Sequence, residues 1–84
     1  MAYPATHLRS VMDPDGALIL DIEHDAIVTL NSTGGYVWDR LLQGKLVDDI
    51  VFELAAETGA DIALVDRDVR SFMEQLMSKH LLSD

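Results

Sequence analysis

Apolar and polar residues follow one rhythm before Asn31 and another after it. In the first part the apolar residues come in short runs separated by turn-forming residues. "THLRSVM" (Thr6 to Met12) predicts a first strand of mixed polarity, and "ALILDI" (Ala17 to Ile22) and "AIVTL" (Ala26 to Leu30) predict two more. "DPDG" (Asp13 to Gly16) between the first two reads as a type I turn, since Pro presets φ at the second position and Gly tolerates the exit. "EHD" (Glu23 to Asp25) reads as a hairpin loop. Three short antiparallel strands cannot stand alone and need a covering layer.

The second rhythm supplies that layer. "NST" (Asn31 to Thr33) offers side-chain oxygens that cap free N–H groups, and Val37, Trp38, Leu41 and Leu42 follow at helical spacing. Gly44 is placed to end this helix. A second helix runs from about Leu46 to Thr58, with an apolar stripe of Val47, Ile50, Val51, Leu54 and Ala55. Asp48 and Asp49 favour its positive end, and Gly59 closes it. A third spans roughly Leu64 to Leu81, with Asp66 or an earlier residue near its start. Val65, Val69, Phe72, Met73, Leu76 and Met77 recur at three- and four-residue intervals along it. The expected fold is α+β, in the order βββααα, a winged-helix-like arrangement with the sheet in front. It forms one domain over residues 1–84. A three-stranded meander leaves two edges, and an uncovered edge is a template for another extended chain.

Charge narrows the partners. Fifteen acidic residues against six basic ones give a net charge of −9. Nucleic-acid binding needs Lys and Arg to displace phosphate counterions, so DNA and RNA are not expected partners. The chain has no cysteine, which removes disulfides, thiolate catalysis and the common structural zinc sites. The N-terminal residues lack the apolar core of a signal peptide and no run approaches a membrane span, so a cytoplasmic protein without membrane contact is expected. A domain this short would lose much of its core to a cavity of several hundred cubic ångströms, which favours a binding surface over a catalytic pocket.

Candidate chemistry is sparse. His7, His24 and His80 have no metal-ligand spacing among them, so no metal and no cofactor are expected. Asp48 with Asp49, and Asp66 with Asp68, are too close in sequence to converge as acid–base pairs; capping and solubility explain them. "STGG" (Ser32 to Gly35) lacks the lysine and spacing of a phosphate loop and reads as a backbone requirement, a steep turn or a close approach. Trp38 reads as a core anchor. Arg67 and Arg70 share a face of the third helix, as rim contacts around Val69 and Met73 for a bound peptide or as partners of neighbouring acids. No enzyme motif is present, and a hairpin edge beside an apolar helix frames a groove suited to strand addition.

Taken together, "DGALILDIEHDAIVTLNSTGGYVWDRLLQGK", "DDIVFELAAETG" and "DRDVRSFMEQLMSKHLL" resemble the PqqD-like family, the recognition elements for precursors of ribosomally synthesised, modified peptides. The likeness rests on Leu30-Asn31, Thr33-Gly34, Trp38, Leu41 with Gly44, and Asp68-Val69 with Phe72 and Leu76, and runs from about Leu8 to Leu82. It implies a non-catalytic domain that captures the leader segment of a precursor peptide as an added strand along the third strand, beside the third helix. Free-standing members of this style look like lasso-peptide leader-binding proteins, which work with a leader peptidase and a cyclase. Carried onto this chain, the implied peptide-binding positions are Ile27, Val28 and Thr29 on the third strand and Arg67, Val69, Arg70 and Met73 on the third helix. Within the same family stands a second reading, a peptide chaperone for a radical enzyme or another modifying enzyme; a winged-helix DNA-binding protein is the rival from outside it. The sequence departs from the family at the hairpin loop, Glu23-His24-Asp25, which has no Gly. An uncovered edge can also pair with itself, so a homodimer is a further expectation.

Overall fold

The computed structural model describes residues 3–4 and 8–83. Strand β1 is Tyr3–Pro4, β2 Leu8–Asp13, β3 Gly16–Asp21 and β4 Ala26–Leu30; helices α1 Ser32–Leu42, α2 Val47–Thr58 and α3 Ile62–Ser78 follow, and β5 is Leu82–Ser83. The antiparallel meander β2-β3-β4 followed by three helices is the α+β arrangement the pattern predicts. Thr6 and His7, the start of the expected first strand, lie outside the described residues. The pairing of β1 with β5, Tyr3 opposite Ser83 and Pro4 opposite Leu82, was not foreseen. Two-residue strands carry too little periodicity to be read from a sequence.

The register sorts the sheet into two faces. Ile19 pairs with Val28 and Ala17 with Leu30, and Ala17 and Ile19 are buried against the helices. Successive side chains alternate, so Leu18, Leu20 and Ile27 lie on the outer face, where Ile27 is 68% exposed. Opposite the sheet, Val37, Trp38, Ile50, Leu76 and Leu81 complete the core. Trp38 is fully buried, and its indole Nε1–H donates to Ser10 Oγ of β2 at 2.7 Å, so the polar end of the anchor is satisfied.

Local signals fix the helix ends. Asn31 caps α1, its side chain accepting from the Gly34 N–H at 2.8 Å. Gly59 closes α2 in the left-handed region at φ 69°. The hairpin loop that lacks Gly turns instead on Asp25 at φ 51°, which a short polar side chain tolerates. Helix α3 begins earlier than its periodicity suggests, because Asp61 caps it by accepting from the Ala63 N–H at 2.8 Å. It also ends earlier, at Ser78. His80 takes φ 60°, its N–H donates to Met77 O at 3.0 Å, and the Leu81 N–H donates to Leu76 O at 2.9 Å. That pair of bonds is a Schellman motif. It turns the chain back so that Leu81 enters the core from beyond the helix.

Candidate functional site: a groove between an open strand and the third helix

Strand β4 pairs with β3 on one side only, and among the described residues nothing pairs its other edge. An edge strand presents unsatisfied N–H and C=O groups to any extended chain laid beside it. Next to this edge lies an open groove of about 490 Å³, between β4, the start of α1, the end of α2 and the length of α3.

One face of α3 forms the long wall. Val65, Val69, Phe72 and Leu76 line it at three- and four-residue spacing, with Asp68, Gln75 and Lys79 along its margins. Val28 and Leu30 supply the strand side, and Val37 and Leu54 the floor. The near end is polar, with Asn31, Thr33 and Thr58 beside the edge backbone at Thr29. Gly34 lines a close approach between α1, β4 and α3: a Cβ there would stand 3.3 Å from the Leu30 side chain and 3.3 Å from the Phe72 ring. Its missing side chain keeps the passage between α1 and α3 open. The interior is apolar with hydroxyl and amide groups at the rim, and it offers no convergent acids or bases.

The seven positions singled out from sequence divide. Val28, Thr29 and Val69 line the groove. Met73 does not line the groove and packs in the core cluster, 8% exposed. The Ile27 side chain faces away on the outer sheet face, although its backbone belongs to the open edge. Arg70 turns towards α2: its Nη2 meets Asp48 Oδ1 at 2.8 Å, and its Nε donates to Asp66 Oδ1 at 2.9 Å. The Asp66 hydrogen bond, ahead of Asp48, raises the guanidinium pKa above its ordinary value. Arg67 projects into solvent with its Nε 3.9 Å from Asp68 Oδ1.

Leu30, Thr33, Gly34, Phe72 and Leu76 carry the family likeness in the sequence but were not assigned to the peptide site there, and neither were Thr58, Gln75 or Lys79. The usable signal was the series 65, 68/69, 72, 75/76, 79, which repeats along a single face of the helix, including residues that are polar.

Of the histidines, His24 holds Asp21 Oδ2 at 2.8 Å in the β3–β4 turn, His80 terminates α3, and His7 lies outside the described residues. Among the described residues no group of three or more His, Asp or Glu is placed to hold a metal ion, and no helix is long and apolar enough to cross a membrane.

Comparison with known proteins returns the same geometry. The family model described as "Coenzyme PQQ synthesis protein D (PqqD)" matches residues 16–82. The solved structure of TbiB1 in complex with the TbiA(beta) leader peptide superposes with a TM-score of 0.91 at 28% identity, covering 96% of this chain and 94% of that one. A lasso peptide synthetase B1 complexed with the leader peptide superposes with a TM-score of 0.89 at 19% identity, covering 99% and 98% of the two chains; at that identity the likeness speaks for the fold alone. No curated protein matches the chain.

Proposed function

The chain belongs to the PqqD family, and on that premise we propose that it is a non-catalytic protein that captures the leader segment of a ribosomally made precursor peptide for lasso-peptide biosynthesis. The observation that carries this reading is the open edge of β4 beside the apolar groove walled by α3. A leader segment adds to β4 as a fourth strand. Backbone hydrogen bonds along the edge supply affinity, and alternate side chains enter the groove over Val28, Leu30, Val69, Phe72 and Leu76 and supply specificity. TbiB1, which shares 28% of its aligned residues with this chain, is complexed with a leader peptide. That supports the same class of ligand here.

Of the seven sequence-predicted positions, Val28 and Val69 meet the peptide with their side chains, and Ile27 and Thr29, whose side chains lie on the outer face, contribute the backbone of the edge. Met73 backs the helical wall, and Arg67 and Arg70 stand outside the groove. The partners beyond the peptide are a leader peptidase and a cyclase of the same cytoplasmic pathway, to which the domain delivers its cargo. Holding substrate and enzyme together raises effective concentration without any chemistry by the carrier.

The test is a fluorescence-polarisation titration with labelled leader peptides encoded by precursor genes beside its own, for the wild type and a Thr33→Trp variant. Thr33 is exposed on the first turn of α1 and lines the groove, so an indole there fills the space without disturbing the core. Saturable binding by the wild type, weakened at least about tenfold in the variant, is the expected result. A folded wild type that binds no such leader, alone or with the partner peptidase present, overturns the proposal. Binding of a different precursor, one modified by a radical enzyme, would assign the same groove to the chaperone branch of the family.

A further inference from the structure

The charged residues around the groove are not distributed like those of the rest of the chain. Among the described residues, Asp68 and Lys79 are its only charged lining residues. They lie on the same face of α3, eleven positions apart; at 1.5 Å per residue this is about 16 Å, the length of roughly five residues of extended strand.

Lys79 also stands apart from the other cations. Arg40 meets Asp39 and Glu53, Lys45 meets Glu53, Arg67 meets Asp68, Arg70 meets Asp48 and Asp66, and Arg9 donates to Leu8 O. Among the described residues Lys79 alone of the six Lys and Arg side chains has neither an ion pair nor a hydrogen bond to its side chain. In a chain of net charge −9, with acids in excess everywhere, an unpaired exposed lysine at the margin of an apolar groove is the exception. Its position is also fixed. It is the C-cap of α3, held by the Schellman motif in which His80 and Leu81 close the helix, so its Cα does not drift with a fraying end.

We infer that Lys79 recognises an acidic side chain of the bound segment and thereby sets its register and direction in the groove. This rests on the leader-binding reading and adds the charge of the ligand to it. Asp68 marks the opposite end with the opposite sign, partly compensated by Arg67, and an acidic side chain is disfavoured there. A segment laid in reverse would bring its acid towards Asp68 and lose its partner at Lys79. The pair is exposed, so its contribution is modest in affinity and larger in discrimination between registers.

The experiment is a charge-swap series with one labelled leader peptide from an adjacent precursor gene and derivatives in which each Asp or Glu in turn becomes Lys. Wild type, Lys79→Gln and Lys79→Glu are titrated at low and at high salt, with circular dichroism melts as the control for folding. One acidic position is expected to stand out: its change to Lys weakens wild-type binding about three- to tenfold at low salt. Lys79→Glu weakens the parent peptide similarly and restores the matching Lys derivative. If Lys79→Glu binds every peptide within twofold of the wild type, while Thr33→Trp still blocks binding, the charge inference is overturned and the groove reading stands. A binding leader without any Asp or Glu also overturns it. A wild type that binds no leader overturns both.

Discussion

A Cβ on Gly16 would lie 2.0 Å from the carbonyl oxygen of Leu30, and one on Gly35 would lie 2.9 Å from the carbonyl carbon of Gly16. These two residues let the start of α1 press against the start of β3, which brings Thr33 and Gly34 to the mouth of the groove. Gly16→Ala is expected to destabilise the fold by about 2–4 kcal/mol, because the obstruction is backbone and cannot swing away; urea unfolding measures it. Gly34→Ala belongs to a different class. Its new methyl meets the Leu30 side chain and the edge of the Phe72 ring at 3.3 Å, and that ring borders an open groove into which it can move. Stability should stay within about 1 kcal/mol of the wild type, since Ala favours the helix, while leader affinity falls as Phe72 enters the groove. A leader titration beside a melt separates the two effects. The "STGG" stretch announced a backbone requirement in the sequence, and the structure identifies it as a close approach; which backbone comes close depends on residues far away in the chain.

At the level of elements, the joint between α1 and α2 is held by Glu53, whose Oε1 accepts from Lys45 Nζ at 2.7 Å and whose Oε2 lies 3.7 Å from Arg40 Nε. The Lys45 hydrogen bond, opposed by desolvation and helped by the charges of Lys45 and Arg40, holds the carboxyl below its ordinary value of 4.5. A lowered folded-state pKa stabilises the fold above the unfolded value and ceases to do so as pH falls through the folded one. Wild-type stability should therefore decline as pH drops below about 4.5 more steeply than that of Glu53→Gln, measured by urea midpoints across that range. The existence of all three helices was legible, since their apolar stripes and caps are local. The two ends of α3 were not, because Asp61 and the Schellman turn at His80 act through single side-chain and backbone bonds that leave no periodic trace. Periodicity also could not divide the α3 stripe into groove wall and core. Phe72 and Met73 are neighbours in sequence, and only the position of the sheet and α2 decides that Met73 is enclosed and Phe72 borders open space. The same holds for Arg70, whose turn towards Asp48 depends on how α2 lies beside α3.

The whole molecule has a sheet with open edges at β2 and β4 among the described residues, a core on one face, and an apolar groove along β4 and α3. Any ligand that binds only the folded state stabilises it by mass action, about 2.7 kcal/mol at a hundredfold excess over Kd. For a domain of this size that corresponds to a rise in Tm of about 10 °C or more with the cognate leader, readable in a calorimeter. The fold class and the meander that leaves β4 at an edge followed from short-range pattern and family likeness. The closure of the chain ends by β1 and β5 did not, since it joins two-residue segments. Addition of a leader strand to β4 would be visible, residue by residue, in amide hydrogen exchange. With saturating leader peptide, amides of β4 that point to the open edge should slow markedly, with added protection along the groove face of α3, while the edge of β2 exchanges as in the free protein. Saturable binding that protects β2, or that leaves the β4 amides unchanged, would rule out strand addition at β4.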